Sequence, residues 1–513
     1  MAPPLPRRRL RAVDALRGLL VALMIFVDEC GDAHRAWVGH AAWDGLHLAD
    51  LVVPGFLVLV GAALALDRAR ALGPRLARGA RLVVRGLALQ GGERGFEAER
   101  AGEPPFGYNL RTLRLCGVLN RIGVAYAAAS AVELAVPDAG ASARQGESEP
   151  QEGQSGALLG ASPAAALPGS CGALRSHLAV ARRDGWRLAV YSALLACGVL
   201  TTYLAPVPSW TTNWGAEVRC GGARGAVGDP GCAAGPWLDR ALLGPRHLHG
   251  PWFAVGMPQC SSCAPEVCPR ADAAPWCFAQ TYDPEGVLAT LQSMGSVALG
   301  VHCGKQLLLL HEPQRPAAID AQVRVGLVAL GAVLLAAGLA LHLSATVPIN
   351  KQLYSPSFTL VTGGLTAAAL AGLLWALDED PAVASATAEA TDAAEAIETE
   401  AERPGRLHGR GATSRGLGGW RRAAARVGAV SSALVCRLGT NALLVFALHG
   451  PLEAGHGLVY WSDEASQFPR LDLLTLVRRH VCRGNAVAFA TFKVALFAGA
   501  VTLCERWGVS LRV

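Results

Sequence analysis

The sequence predicts an all-α polytopic membrane protein in which about ten transmembrane helices form one bundle. Three observations predict this fold class. The chain has 513 residues, of which 52% are hydrophobic and only 17% are charged. Apolar runs of about 20 residues recur along it, and a helix of about that length crosses the hydrocarbon core of a bilayer. In such a chain the net charge of +6 indicates basic cytosolic loops, so we expect no nucleic-acid partner.

The apolar runs define ten candidate spans. They cover residues 14–28, 48–66, 80–92, 115–136, 188–206, 286–303, 323–343, 357–377, 428–449 and 486–504. The third is the weakest, because it is short and contains Arg85. The first thirty residues also look like a signal peptide, but no small-residue cleavage site follows, and Asp14 and Arg17 have helical spacing. We therefore predict a retained first span.

Basic loops and cysteines predict the same orientation. With the N-terminus in the cytosol, the arginine-rich stretches 67–81 and 403–426 are cytosolic as well, as the positive-inside rule requires. The segment 207–285 then lies on the other side of the membrane. It contains the six cysteines between Cys220 and Cys277, which predicts a disulfide-stapled loop in an oxidising compartment. A zinc site at "CSSC" is the alternative, but a second C-x-x-C at finger spacing is missing, so we expect no metal.

The spans and loops divide the chain into five parts. Residues 1–136 hold four spans, 137–187 form a disordered cytosolic linker, 188–377 hold spans five to eight with the loop 207–285, 378–427 form a charged cytosolic linker, and 428–513 hold the last two spans. Both linkers are too poor in apolar residues to order themselves by burial.

A titratable cluster precedes the second span. His40, Trp43 and Asp44 lie within six residues, and Asp28 and Asp32 belong to the same connection. Histidine titrates closest to neutral pH, which suits a group that must repeatedly gain and lose a proton. His40 is therefore the candidate catalytic base.

Asp50 lies just inside the second span, where a carboxylate is costly and normally has a partner. One interpretation is a structural salt bridge with Arg114 or Arg121. The other is that Asp50 orients a catalytic group or binds substrate.

Seven blocks of the sequence carry a family resemblance. They are "RRRLRAVDALRGLLVALMIFV", "GHAAWDGLHLADLVVPGFLVLVGAALAL", "LRLCGVLNRIGVAYAAAS", "WLDRALLG", "TYDPEGVLATLQSMGSVALGVHCGK", "VPINKQLYSPSFTLVTGGL" and "LGTNALLVFALHG". They extend in order from residue 9 to about residue 505 and leave out both linkers. In this order they resemble the catalytic domain of the heparan-α-glucosaminide N-acetyltransferase family.

The resemblance implies a multipass acyltransferase of a lysosomal, vacuolar or other endomembrane. Such an enzyme takes an acetyl group from cytosolic acetyl-CoA, its co-substrate, and delivers it to the terminal glucosamine amine of heparan sulfate in the lumen. The family's active-site histidine corresponds to His40. Transfer through an acetyl-histidine and direct transfer in a ternary complex both remain open. The expected partners are the lipid bilayer and an amino-sugar glycan, and a homodimer is compatible with the prediction.

The sequence departs from the family pattern at two positions beside His40. The family's catalytic asparagine corresponds to Asp28, and its W-N-G motif reads W-D-G here, with Asp44 in place of an amide. An amide can donate a hydrogen bond to a developing oxyanion, whereas an ionised carboxylate repels it. Asp28 is therefore predicted to orient His40 or to deprotonate the amine.

The remaining blocks supply candidate binding residues. Arg114 and Arg121, two turns apart on the fourth span, are predicted to meet the coenzyme A phosphates or to pair with Asp50. Asn350 and Lys351 lie in a short outside loop, where they contact a sugar or cap a helix.

Asn441 and His449 share a face of the ninth span, as expected of cavity-lining residues. The "YDPEG" stretch at 282–286 suits a helix start, and we predict a chiefly structural role for it.

Two other functions fit the same residues. O-acylation of a different glycan is one, because related membrane acyltransferases share a start like "DALRG". A transporter or a catalytically silent membrane protein is the other, in which the polar residues within the spans line a substrate path.

Overall fold

The computed structural model of the protein describes most residues of the predicted spans. Described are residues 10–30, 37–67, 71–90, 110–135, 184–249, 257–262, 272–279, 283–311, 316–378, 432–445 and 485–506, with single gaps at 112, 213 and 278, and the isolated residues 178, 182 and 482. The predicted linkers 137–187 and 378–427 lie almost entirely outside the described residues. Asp32, Cys263, Cys268, Tyr282 and His449 lie outside them as well.

The described chain is mostly helical and contains almost no strand, which confirms the all-α fold class. The helices are α1 (Arg11–Cys30), α2 (Val52–Leu66), α3 (Leu72–Gln90), α4 (Val118–Ala135), α5 (Gly185–Leu204), α6 (Ala234–Leu243), α7 (Val287–Leu308), α8 (Ala317–Leu343), α9 (Pro356–Leu377) and α10 (Ala486–Arg506). Short 3₁₀ helices cover Leu48–Leu51, Pro245–His247, Pro258–Cys260 and Leu309–His311. Two short strands, β1 (Trp210–Thr211) and β2 (Glu217–Val218), pair antiparallel.

Each of the ten predicted spans overlaps helical residues. By length and apolar composition, six helices of the described residues can cross a membrane: Leu48–Leu66, Gly185–Leu204, Val287–His311, Ala318–Leu343, Pro356–Leu377 and Ala486–Arg506. Helices α1 and α3 cover two further predicted spans and carry more charge. The polytopic prediction is therefore confirmed.

Helix α3 differs from its prediction. It begins at Leu72, so most of the stretch 67–81 that was predicted as a cytosolic loop forms its first turns. Arginine has a high helix propensity, which explains why a charge-rich stretch continues the helix. Arg78 donates hydrogen bonds to the Asp67 carboxylate at 3.2 Å and to the Tyr126 hydroxyl at 3.1 Å, and so ties α3 to α2 and α4.

Small residues bring α2 and α7 into close contact. A Cβ atom added at Gly61 or Gly300 would overlap a backbone carbonyl of the facing helix, at Val297 or Val58 respectively. Gly304 lies one turn beyond Gly300 and faces α2 in the same way. Small residues four apart allow helix backbones to approach closely where lipid offers no hydrophobic driving force. This contact fixes the ends of α2 and α7 relative to each other.

The segment between α5 and α7 forms a cap with its own small core. Disulfides join Cys220 to Cys232 and Cys260 to Cys277, so the predicted disulfide-stapled loop is present. Cys260, the first cysteine of "CSSC", is oxidised and is not available as a zinc-binding thiolate. The buried Trp43 packs into the cap core and donates its indole N–H to the Val227 carbonyl at 2.6 Å.

The bundle has two chemically different ends. We call the end where α2 begins the His40 end, and the end where α4 finishes and α5 starts the opposite end. The opposite end holds a four-charge cluster of Glu133, Asp184, Arg187 and Lys305. Lys305 donates to Glu133 at 2.8 Å and to Asp184 at 2.6 Å, and Arg187 lies 3.4 Å from Glu133 and 3.3 Å from Asp184.

Candidate functional site

Three stretches of chain that are far apart in sequence meet at the His40 end. The connection 37–51 is bridged to the turn 349–355, because Asp44 pairs with Asn350 and the Gly45 N–H donates to the Ile349 carbonyl at 2.8 Å. Gly45 has φ +117°, a left-handed conformation that side chains rarely adopt. The third stretch is 283–286, which leads into α7.

Asp50 is fully buried and organises the His40 loop. Its Oδ1 lies 2.8 Å from His40 Nδ1, and its Oδ2 accepts hydrogen bonds from the Ala41 N–H at 3.2 Å and the His47 N–H at 3.0 Å. Asp50 is the third residue of the 3₁₀ helix that His47 caps, which explains its bond to the His47 backbone. The carboxylate at the start of the span is thus stabilised by a local cap and by one histidine.

Lys351 completes a triad with His40 and Asp50. Its Nζ lies 2.9 Å from His40 Nδ1, 3.4 Å from His40 Nε2 and 3.5 Å from Asp50 Oδ1. Asp50 therefore pairs with His40 and Lys351 and not with Arg114 or Arg121, the two partners proposed for it from the sequence. Lys351 lies 301 positions beyond Asp50, so the pairing depends on the tertiary fold.

The burial of the triad leaves one face of the histidine open. The Asp50 side chain is 0% exposed and that of Lys351 is 10% exposed, whereas that of His40 is 53% exposed. We assign the imidazole proton to Nδ1, because Asp50 Oδ1 is the strongest acceptor within its reach. The lone pair on Nε2 is then available to a reacting group.

Asn350 has a structural role at the site. Its Nδ2 donates to Asp44 at 3.0 Å, and its Oδ1 accepts from the Leu353 N–H at 2.8 Å. Ser355 Oγ accepts from the Asn350 N–H at 3.1 Å and also caps α9. These bonds fix the turn that carries Lys351, whereas the helix that follows is capped by Ser355 and not by Asn350.

Arg114 is held by two acids of the segment before α7. It donates two hydrogen bonds of 2.7 Å to Asp283 and one of 2.6 Å to Glu285. Burial alone would raise the pKa of Asp283, but the charge and hydrogen bonds of Arg114 outweigh it and hold that pKa below 3.8. Burial likewise opposes ionisation of Glu285, whose pKa is lowered by the charges of Arg121, Arg114 and Lys351.

Arg121 lies beside these acids in a buried position. It is 2% exposed, donates to the Pro284 carbonyl and stacks over the Tyr354 ring at 5.3 Å. Its Nε and Nη1 have no acceptor among the described residues. Arg114 and Arg121 thus both lie at the His40 end, and the acids that bind Arg114 were assigned only a helix-start role from the sequence.

Asp239 of the cap is a further buried acid that sequence reasoning missed. Its carboxylate accepts from the Val287 N–H at 2.9 Å and so caps α7. Burial raises the pKa of Asp239 from 3.8 to about 7. Tyr354, which was also missed, has φ +52° and bonds to Ser296 Oγ at 2.8 Å. No sequence signal marked either residue beyond its place in a family-like block.

The other predicted site residues lie elsewhere. Asp28 is exposed near the end of α1, and within the described chain it is not among the partners of the His40 ring. Asn441 is fully buried and donates to Glu505 at 2.9 Å. It follows Gly439, which packs against Asp14 at the start of α1, about 24 Å along that helix from Cys30. His449, the predicted neighbour of Asn441, lies outside the described residues.

Among the described residues, no group of three histidine, cysteine or acidic side chains is placed so that it could hold a metal ion. A half-exposed imidazole, fixed by a buried carboxylate and adjoining an ammonium group, can accept a proton or an acyl group at Nε2.

The chain is similar to one family of known proteins. Residues 9–99, which include His40 and Asp50, match the family model described as "Heparan-alpha-glucosaminide N-acetyltransferase, catalytic". The chain is 28% identical over 372 residues to the heparan-alpha-glucosaminide N-acetyltransferase of Homo sapiens, and 26% identical over 370 residues to that of Mus musculus. Each match covers 68% of this chain and 46% of the relative.

The resemblance predicted from the sequence blocks is thereby confirmed, and both relatives are acetyltransferases by name. The matched part of the chain spans about half the length of the curated relatives.

Proposed function

We propose that the protein is a transmembrane acetyltransferase that moves an acetyl group from cytosolic acetyl-CoA to the amine of a terminal glucosamine on a luminal, heparan-sulfate-like glycan. The bilayer of a lysosome, vacuole or other endomembrane is the proposed location. The relatives that the chain resembles are N-acetyltransferases by name, which supports the reaction class and the glucosamine acceptor.

One observation carries the proposal. His40 Nδ1 lies 2.8 Å from a fully buried carboxylate, while the side chain as a whole is 53% exposed. A hydrogen bond to Asp50 fixes the ring and the tautomer, and it stabilises the imidazolium that forms when Nε2 takes a proton. A surface histidine with a structural role would have no need of a carboxylate buried within an apolar helix start.

The transfer can follow either of two routes with the same residues. In the direct route, Nε2 accepts a proton from the amine, the amine nitrogen forms a bond to the thioester carbonyl carbon, and the C–S bond breaks. The thiolate of coenzyme A then takes the proton from Nε2. In the covalent route, Nε2 itself attacks the carbonyl carbon and the C–S bond breaks, which gives an acetyl-imidazole and the thiolate. The amine then attacks the acetyl carbon, the bond from that carbon to Nε2 breaks, and the amine proton passes through Nε2 to the thiolate. Asp50 positions His40 in both.

The proposed topology rests on three features. The disulfides of the cap favour an oxidising compartment for the His40 end, because the cap packs on Trp43 of the His40 loop. The basic start of α3 favours the cytosol for the opposite end. The acceptor amine then arrives directly at His40, and the thioester reaches it through the bundle.

The decisive experiment measures acetyl transfer in membranes. Membranes with the wild-type chain are incubated with radiolabelled acetyl-CoA and a panel of amino sugars, and labelled N-acetyl product is counted. We expect label on a glucosamine acceptor and its loss in His40→Ala at equal expression. His311→Ala is the matched control, because His311 bonds to the Leu307 carbonyl at the opposite end, at 3.0 Å.

Three results would contradict the proposal. If wild-type membranes transfer no acetyl group to any amino sugar, the proposed activity is ruled out. Label in an acetyl ester and not in an amide would favour O-acylation. Equal acetyl transfer by wild-type and His40→Ala membranes would show that the activity does not depend on the triad.

A further inference from the structure

Acyl transfer also requires that the negative charge on the carbonyl oxygen be stabilised, and the proposed function has so far assigned no residue to that role. When the amine or the imidazole attacks the thioester, the carbonyl oxygen becomes negative, and preorganised donors for that oxyanion are usually the largest contribution to catalysis. The amide that the family offers near His40 is replaced here by Asp28, which is exposed. The following inference rests on the proposed function and concerns how this oxyanion is stabilised.

Most polar groups around His40 do not suit that task. Asp50 and Asp44 are acceptors when ionised. The Asn350 amide is engaged at both atoms, by Asp44 and by the Leu353 N–H. Gln352 Nε2 donates to the Ala41 carbonyl at 3.5 Å, and as a neutral amide it is a weaker donor to an oxyanion than a cation is. Within the described chain, Lys351 is the cation that contacts the His40 ring.

The proton count around His40 leaves Lys351 donors available. A neutral imidazole has a single ring lone pair, so at most one of the two contacts of Nζ with the ring, at 2.9 Å to Nδ1 and at 3.4 Å to Nε2, is a hydrogen bond. The remaining contacts of Nζ, to His40 Nε2 at 3.4 Å and to Asp50 Oδ1 at 3.5 Å, are long. An ammonium group has three donors. Close hydrogen bonds to the described residues therefore do not use them all.

The position of Lys351 is also preorganised. The turn that carries it is fixed by Asn350, by Ser355, which donates to the Pro348 carbonyl at 2.7 Å, and by Tyr354 at φ +52°. A residue other than glycine in this conformation is strained and persists only where the surroundings determine it. The ammonium is therefore held beside Nε2 before substrate binds, and it need not reorganise during the reaction.

We propose that Lys351 is a catalytic residue whose ammonium donates hydrogen bonds to the thioester carbonyl oxygen as that oxygen becomes negative. The 3.4 Å separation of Nζ from Nε2 places the donor next to the atom where the bond to carbon forms or where the attacking amine is deprotonated. Lys351 keeps its proton throughout. The C–S bond breaks, the proton from the amine passes through Nε2 to the thiolate, and the ammonium releases the acetyl oxygen when the carbonyl re-forms.

The test is a kinetic comparison of the purified full-length chain in detergent or nanodiscs. Lys351→Met removes the charge but keeps the length of the side chain, Lys351→Arg keeps the charge, and Lys305→Met is the matched control in the four-charge cluster. We expect Lys351→Met to lower kcat by about 10²-fold, the effect of removing one oxyanion donor. The KM values for acetyl-CoA and for the amino sugar should change by no more than about threefold.

The companion variants sharpen the expectation. Lys351→Arg should keep more of kcat than Lys351→Met, because it retains a cationic donor. Lys305→Met should leave kcat within about threefold of wild type. If Lys351→Met does not elute as a folded protein, Lys351→Gln, which keeps a neutral donor, replaces it with an expected loss of about tenfold in kcat.

Four outcomes would overturn the inference. A raised KM for the sugar with unchanged kcat would make Lys351 a substrate contact. If Lys351→Met shifts the acid limb of the kcat/KM pH profile but reaches full activity on the plateau, Lys351 only changes the pKa of His40. A change in kcat below about threefold would leave it without a role in the chemical step. A wild-type chain without acetyl transfer removes both proposals, whereas loss of activity in His40→Ala with full activity in Lys351→Met removes this one alone.

Discussion

The two ends of the bundle both bury charged residues, but they pair them differently. At the opposite end, Lys305 makes contacts of 2.8 and 2.6 Å with two carboxylates, and Arg187 bridges the same two acids. At the His40 end, Lys351 lies 3.5 Å from its carboxylate and adjoins a histidine whose side chain is 53% exposed. The first cluster has two acids and two cations in mutual contact. The second keeps donors and a lone pair available.

We propose that this difference distinguishes a structural charge cluster from a reactive one. Burying ions is costly unless each is paired, so a compensated cluster adds little beyond holding helices together. Incomplete pairing next to an exposed imidazole is instead what a reaction with a polar transition state requires. Variants at the two ends should therefore differ in kind and not only in size.

The largest expected effect follows from Asp50→Asn. The amide would donate to His40 Nδ1 and move the imidazole proton to Nε2, which removes the lone pair that accepts the proton or the acyl group. We expect kcat for acetyl transfer to fall by about 10⁴-fold, as for the analogous amide substitution in the serine protease triad. Steady-state kinetics on the purified variant measures this.

The matched control is Asp184→Asn in the four-charge cluster. Arg187 and Lys305 remain paired with Glu133 in that variant, at 3.4 and 2.8 Å, so kcat should stay within about threefold of wild type. Equal losses in Asp50→Asn and Asp184→Asn would abolish the distinction between the two ends.

The next effect concerns stability. Arg114→Met leaves Asp283 and Glu285 buried without their main partner, and breaking such a pair typically costs about 3–5 kcal/mol. Lys305→Met leaves Glu133 and Asp184 in contact with Arg187, so its cost should be about half as large. Thermal unfolding in detergent, followed by tryptophan fluorescence, compares the two variants. An Arg114→Met protein as stable as Lys305→Met would contradict the assigned pairing.

The smallest expected effect is a pH dependence of stability. Burial raises the pKa of Asp239 to about 7, so its stabilising contribution is complete below about pH 4 and is lost as pH rises through about 7. Asp283 and Glu285 act in the opposite sense. Their pKa values are lowered, so the stability that they contribute is present at neutral pH and is lost only as pH falls into the acidic range. Unfolding free energy should therefore fall by about 2 kcal/mol between about pH 5 and about pH 8.

Asp239→Asn tests this pH dependence. The amide does not titrate, so the variant should show a flat profile over the same pH range. Retention of the wild-type slope in the variant would assign the dependence to another group.

The sequence by itself determined the class of the fold, and it predicted His40 as the candidate base. Apolar runs of span length are a local property, and the described helices overlap all ten of the predicted spans. The clustered cysteines indicated a stapled loop, and two disulfides are present in it. The prediction of His40 as the base rests on the pKa of histidine, on its neighbours and on the family resemblance, and it stays a prediction. The predicted start of α3 was wrong, because an arginine-rich sequence is compatible with both a cytosolic loop and a helix.

Only the tertiary structure decided which charges meet. Asp50 was recognised as needing a partner, but the arginines proposed for it bind elsewhere: Arg114 pairs with Asp283 and Glu285, 169 and 171 positions away. Lys351 reaches His40 across 311 positions. Periodicity and propensity act over a few residues, whereas the pairing of buried charges depends on which helix ends the packing of small residues such as Gly61 and Gly300 brings together.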